Sequence, residues 1–188
     1  MIGVQGHSFS SKDYKEDQIK QGDYEDCEFS GISFSGKDFS DFSFSNCTFS
    51  GCDFSNAKIN RTAFRDVVFI NCKLIGLNFD DANQFNIFFR FESCILNHSS
   101  FYGTDIRKTK FKDCSLIETD FSECNLSFSA FTNSNLSDAV FERTNLEHSD
   151  LRSAINFSID PNQNQLRKAR FSGDNLSGLL DQLNIIID

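Results

Sequence analysis

The 188-residue chain contains no tryptophan, one methionine and one proline. Basic side chains are scarce too, with 18 Lys and Arg against 27 Asp and Glu, for a net charge of −9. No apolar run approaches the eighteen or so residues that a membrane-spanning helix needs, which excludes a helical membrane protein. The shortage of bases argues against sequence-independent DNA binding, because that binding rests on neutralising phosphates with Lys and Arg. No basic, apolar and small-residue regions follow Met1 in the order of a secretory signal, so a cytoplasmic location is expected. The three histidines, His7, His98 and His148, are scattered, and no glycine-rich phosphate loop occurs. No enzyme, metal site or cofactor is therefore expected.

Phenylalanine, in contrast, is abundant at 23 residues. Such an aromatic content argues against disorder. It also points to one structural position that recurs. Fragments such as Cys27-Glu28-Phe29-Ser30-Gly31, Cys47-Thr48-Phe49-Ser50-Gly51 and Cys52-Asp53-Phe54-Ser55-Asn56 share one phrase: small, polar, Phe or Leu, polar, polar. Taking the large residue as position i, the phrase repeats at every fifth position from Phe9 to Phe89. The frame then moves by two positions and resumes from Leu96 to Leu151. Sixteen of the 23 Phe sit at i, and all seven cysteines sit two positions before it. Neither a strand of period 2 nor a helix of period 3.6 places every fifth residue inside. A coil that turns a corner once per phrase does, with i and i−2 both pointing inward. This is a β-solenoid, whose coils bury their core only by stacking.

The tandem phrase A/C/S/T-N/D-L/F-x-x resembles the pentapeptide-repeat family over about residues 9–156. The resemblance implies an all-β, right-handed quadrilateral β-helix with four phrases per coil. About seven coils at roughly 4.8 Å per stacked strand would give a rod about 34 Å long. Positions four phrases apart then stack, and from residue 69 onward opposite faces carry Phe while the other two carry mainly Leu. That alternation survives the frame change, which predicts a two-residue bulge at 90–93. Lys37 and Phe42 at i−2 and Gln84 at i depart from the phrase and predict local distortion. A buried Gln84 would need a hydrogen-bond partner. The cysteines fall in inward columns, with Cys52, Cys72, Cys94 and Cys114 in one. They read as small buried hydrophobes in a reducing compartment, since stacked Cβ vectors run parallel and the count is odd.

Charge varies along the rod. Residues 1–56 carry ten acids and four bases, 57–112 five and nine, and 113–150 eight and one. Asp or Asn at i−1 can bond backbone groups at the corners. Asp113, Glu118, Glu123, Asp138, Glu142 and Glu147 lie instead at i+1 or i+2 and face water. Two readings stay open here: a solvated surface, or an acidic surface that competes for a basic groove. Near the frame change, Phe85, Phe88 and Phe91 fall at outward positions and form a candidate apolar contact patch, unless the bulge folds back over them.

The phrase stops after Leu151. The predicted solenoid is 1–156, and residues 157–188 form a predicted C-terminal module. Asp160-Pro161 reads as a helix start. Leu176, Leu179, Leu180 and Leu183 follow at helical spacing, then Ile185 and Ile187 in a short β run. The module resembles the C-terminal dimerisation module of quinolone-resistance pentapeptide-repeat proteins and their mycobacterial relatives. It implies capping of the solenoid and a homodimer. The same resemblance implies a DNA-mimicking partner of DNA gyrase or topoisomerase IV, with the six acids as contacts and no direct nucleic-acid binding. Protective members often carry long loops that this chain lacks, so protection and inhibition are both open. The alternative is a solenoid scaffold for another partner, in contact through the Phe patch.

Overall fold

The computed structural model describes residues 2–12, 19–183 and 185–186. Tyr14, one of the expected inward residues, and Ile187, one of the expected dimer contacts, lie outside them. The chain winds into a parallel β-solenoid with four stacked columns per coil. One column is a four-stranded sheet of Ile2–Gln5, Gly22–Glu25, Ser43–Ser45 and Ala63–Arg65. The next is a seven-stranded sheet that starts at Ser8–Ser10 and ends at Ala130–Thr132. It continues through bridges from Ala130 to Asp150 and from Asp150 to Arg170. Single bridges build the other two columns, one from Ser33 to Ile155 and one through Asp38, Asn78, Ser100, Asp120 and Val140. All pairing among the described residues is parallel, at a repeat of twenty positions except where the coil after Ala63 gains two.

The repeated phrase has a direct physical reading. Residue i is buried in nearly every coil, as at Phe29, Phe49, Phe69, Phe111 and Phe131, each no more than 1% exposed. Full burial of such a ring contributes about 1.5–3 kcal/mol. Rings in one column stack: Phe91 on Phe111 at 5.2 Å and Phe111 on Phe131 at 5.0 Å, both 7° from parallel. The facing column does the same at Phe79–Phe101 and Phe101–Phe121. Rings of the two columns meet edge-on, as Phe111 and Phe121 do at 6.0 Å and 76°. Leu74, Leu96, Leu116, Leu126 and Leu136 fill the remaining inward positions.

Position i−2 is small because it also faces in, and it supplies a donor. Thr62 Oγ1 donates to the Phe39 carbonyl at 2.7 Å, Thr144 Oγ1 to Phe121 at 2.8 Å and Cys72 Sγ to Phe49 at 3.3 Å. All seven cysteines are buried and free. At i−1, Asp53, Asp120, Asn125 and Asn145 accept the backbone N–H of i+1, closing the corner. Position i+2 then takes a left-handed conformation with positive φ at almost every corner, as at Asn56 with φ +55°.

Phe89–Glu92 is a regular strand, which moves the predicted bulge from 90–93 to 85–88. Ala63 still pairs with Asn83, one regular coil on. Val67 instead pairs with Phe89 and Phe69 with Phe91, each two positions beyond the regular partner. Phe89 thus takes the i−2 place beside Val67 and Phe91 the i place, and both are buried. The sequence misplaces the bulge because Phe fits either inward position. Gln84 is exposed, and its amide donates to the Phe79 and Ala82 carbonyls. Lys37 and Phe42 leave the register intact, with Asp38 paired to Lys58 and Ser43 to Ala63. The Phe42 ring packs on Tyr24 and Phe44.

At the C-terminal end the coil runs past residue 156. Asn145 pairs with Gln165, and Leu166 and Phe171 pack on the core. Asp160-Pro161 opens a turn rather than a helix: the Asp160 carboxylate accepts the Asn162 N–H and the Gln163 amide. Ser172 then opens a 3-10 helix, Gly173–Leu179, with a reciprocal capping box to Asn175. Asn175 also donates to the Leu151 and Ala154 carbonyls, which closes the last coil. Gly178 sits so near Phe157 that a Cβ would lie 2.2 Å from its carbonyl oxygen. A second 3-10 turn, Asp181–Leu183, follows.

Candidate interaction surface

Most corners turn their i+1 and i+2 side chains outward, though Ser122 and Ser127 are buried, so the molecule offers four edges and four shallow faces. The stacking places the six predicted acids around all four edges rather than on one. Glu118 and Asp138 share an edge with His98, whose Nδ1 lies 3.2 Å from Glu118 Oε2. Glu123 shares the next edge with Glu142 and is held by Arg143 at 2.7 Å. Arg143, with help from the Tyr102 hydroxyl, keeps the Glu123 carboxyl below its ordinary range. Glu147 lies on the third edge. Asp113 lies on the fourth and accepts the Asn133 amide at 3.0 Å. Among the described residues, Asp138, Glu142 and Glu147 make no ion pair. Asp138 and Glu142 meet across one face, in an open depression of about 360 Å³ shared with Val140, Asp160 and Gln163.

Four of the nine bases in the basic middle are matched by carboxylates among the described residues. Arg61 is paired to Asp41, Arg90 to Asp66, Arg107 to Asp105 and Lys112 to Glu92. These pairs span exposed side chains, a class that contributes little to stability.

The predicted apolar patch changes. Phe85 is 69% exposed and Phe88 half-buried, but Phe91 is 1% exposed and stacked between Phe69 and Phe111. Phe91 leaves the patch because it is the inward i residue of its coil. Of the predicted dimer contacts, Leu176, Leu183 and Ile185 are exposed, whereas Leu179 and Leu180 are half-buried and Leu179 packs on the core. The helical spacing that singled out the leucines is realised as 3-10 turns. Sequence periodicity gave no sign of Tyr102, Val140 and Ile155 as exposed apolar groups, since they occupy positions of the phrase that are polar elsewhere.

Among the described residues, no group of three or more His, Cys, Asp or Glu is placed to hold a metal ion. Burial pushes the Cys47 and Cys114 thiols up to about 11 and the Cys124 thiol up to about 12. Among the described residues, no helix is long and apolar enough to cross a membrane.

A regular square coil of stacked phrases defines a solenoid of the pentapeptide type. The model of the pentapeptide repeat region matches residues 18–90, 42–117 and 87–159, and the chain belongs to that family. Among solved structures, a trypsin-treated form of QnrB1, described as a plasmid-mediated fluoroquinolone resistance protein, is similar over the whole chain. It is 20% identical, covers 100% of this chain and 98% of its own, and has a TM-score of 0.58. A second trypsin-treated form is 17% identical, with 100% and 99% coverage and a TM-score of 0.53. A pentapeptide repeat protein of the Arabidopsis thaliana thylakoid lumen is 21% identical over 77% of this chain and 71% of its own, with a TM-score of 0.35. No curated protein matches the sequence.

Proposed function

We propose that the protein is a non-enzymatic DNA mimic that binds a type II topoisomerase, DNA gyrase or topoisomerase IV, and modulates or protects it against quinolones or similar poisons. The observation that carries this reading is an acidic stretch of the solenoid: residues 113–150 hold eight acids and one base, and Asp138, Glu142 and Glu147 project from successive edges with no ion pair among the described residues. The whole-length likeness to a fluoroquinolone resistance protein is in keeping with it. Carboxylates at the edges would stand where a duplex carries phosphates, and the basic saddle of the enzyme would supply the opposite field. Such complementarity speeds encounter and weakens with salt. The carboxylates outside ion pairs would contribute most, and Glu123 less, because Arg143 already pairs with it. The exposed Leu176, Leu183 and Ile185 fit a homodimer joined at the C-terminal ends, with the acidic segments near its centre. The free thiols suit a reducing, cytoplasmic location.

The test is gyrase supercoiling with and without ciprofloxacin, titrated with this protein. A change in activity or in drug-induced cleavage is expected at micromolar protein. The absence of any change, together with no binding to the enzyme, removes the proposal. A second reading, a scaffold for another partner, is favoured by the exposed Phe85 beside half-buried Phe88 at the bulge.

A further inference from the structure

One edge of the rod differs from the other three. Position i+2 along it, from the bulge onward, is held by Asn86, Lys108, Phe128, His148 and Lys168, all at φ between +56° and +66°. Backbone hydrogen bonds from Lys108 N to Ser127 O, Phe128 N to Glu147 O and His148 N to Arg167 O stack these corners directly. A phenylalanine in the left-handed region is unfavourable, since a bulky Cβ substituent crowds the carbonyl. Phe128 is nevertheless 55% exposed there, so burial gives no reason for it. Its ring stacks on His148 at 4.6 Å and 6°. Lys108 lies one rung to one side of the pair, and Arg167 and Lys168 one rung to the other. None of these three cations makes an ion pair among the described residues. From 107 to 168, Glu147 is the one carboxylate at i+1 or i+2 on this edge. At the head of the edge, the two-residue insertion opens a shallow depression of about 320 Å³. Ile87 and Phe88 supply its apolar wall, and Gln84, Asn86 and Lys108 its polar rim. Asp105, also on the rim, is neutralised by Arg107.

We propose that this edge and its depression form a docking surface for an extended, acidic peptide segment with one large apolar anchor. The anchor enters the depression against Phe88 and Ile87. The segment then crosses the Phe128–His148 stack, and its carboxylates meet Lys108 at one end and Arg167 with Lys168 at the other. Apolar walls and exposed aromatics bordered by cations are the usual anatomy of a binding hot spot. Charge decides the occupant. The edge is locally cationic on a chain of net charge −9 and carries Glu147 at its centre, so a continuous phosphate backbone is repelled where spaced carboxylates are not. From Lys108 to Lys168 there are three rungs, or about 14 Å, which an extended chain covers in about four or five residues. The partner motif therefore has an apolar residue and an acid about that far apart.

The experiment is selection of a displayed twelve-residue random peptide library on the full-length protein, followed by anisotropy titration of the winning peptide. Enrichment of acids with one aromatic or large aliphatic residue at that spacing is expected. Phe128→Asn relieves the backbone strain, so the fold is kept or stabilised, and binding should still fall about tenfold or more. Lys108→Glu and Lys168→Glu should each weaken it similarly, and added salt should weaken it too. Selection without acidic enrichment, or a peptide indifferent to all three changes, overturns the proposal. So does an oligo-dT strand that binds with the same sensitivity to the three changes, since the occupant is then nucleic acid. No topoisomerase enters these measurements, so their failure leaves the topoisomerase reading standing.

Discussion

The Phe111 ring is the sharpest place to test why phenylalanine recurs. It is fully buried and sandwiched between Phe91 at 5.2 Å and Phe131 at 5.0 Å. Truncation to Ala should cost about 3–5 kcal/mol, the range for a buried ring that leaves a cavity. Phe111→Leu is more discriminating, because Leu116, Leu126 and Leu136 show that the coil accepts leucine at i. Leucine keeps most of the apolar burial but loses ring stacking. An aromatic pair contributes about 0.5–1.5 kcal/mol beyond area, so losing two neighbours should cost about 1–3 kcal/mol. A double-mutant cycle of Phe111→Leu with Phe131→Leu isolates one pair. Its coupling energy should be about 0.5–1.5 kcal/mol, read from guanidinium unfolding followed by far-ultraviolet circular dichroism. A coupling indistinguishable from zero would refute ring stacking as the reason for the Phe columns and leave volume alone.

Other consequences are open to direct measurement. The buried thiols have pKa values raised to about 11 at Cys47 and Cys114, so the unfolded chain, near 9, ionises first as pH rises. Stability should hold below pH 9 and then fall by up to about 1.4 kcal/mol per pH unit for each such thiol, visible as a falling urea midpoint that Cys→Ala changes flatten. Deleting Phe85 and Asn86 restores the regular coil repeat and should preserve the circular dichroism spectrum; loss of folding would show that the bulge is structurally required. Under the mimicry reading, Asp138→Lys with Glu142→Lys should weaken topoisomerase binding at low salt, while Arg143→Gln, which frees Glu123, should strengthen it; equal effects in both directions would reject the acidic edges as contacts. A chain cut after Phe171 should be monomeric by light scattering if the segment beyond it joins two copies, and a persistent dimer would place the interface elsewhere.

The solenoid was legible because its rule is local. Two inward positions in five need side chains of set size, and a left-handed corner follows each pair, so residue spacing alone carries the period. The register change was legible in size but not in place, since Phe89 and Phe91 are both acceptable inside and only strand pairing assigns them to i−2 and i. The end of the coil was hidden for a related reason. Asn156 breaks the phrase, yet Leu166 and Phe171 resume it one full coil after Leu146 and Leu151, across a turn that Asp160 closes with its carboxylate. Surface grouping was the least legible feature. Spacing says that Glu118 and Asp138 share one edge and Glu123 and Arg143 another, but whether two stacked side chains pair depends on their rotamers, which spacing does not give.

Corner chemistry also divides the acidic excess into two parts with different causes. Asp and Asn tolerate the left-handed region because their short polar groups bond locally, whereas longer side chains gain nothing from it. Asp26, Asp41, Asp66, Asp113 and Asp138 occupy such corners, and Asn46, Asn56, Asn71 and Asn133 occupy equivalent ones. Negative charge at those sites is therefore partly a by-product of turn geometry, and Asp→Asn there should leave the fold unchanged. Glu118 and Glu123 have no such excuse at φ +53° and +57°, and each instead lies against a nitrogen of a stacked side chain, His98 or Arg143. Glu142 and Glu147 sit at i+1, where no positive φ is demanded, and make no ion pair among the described residues, although Arg143 feels the charge of Glu142. Charge that the backbone does not require and that no ion pair holds is the charge most available to a partner. By that criterion Glu142 and Glu147, with Asp138 beside Glu142, are the carboxylates whose reversal should matter most. Asp113, bound to Asn133 at a corner that favours aspartate, should matter least.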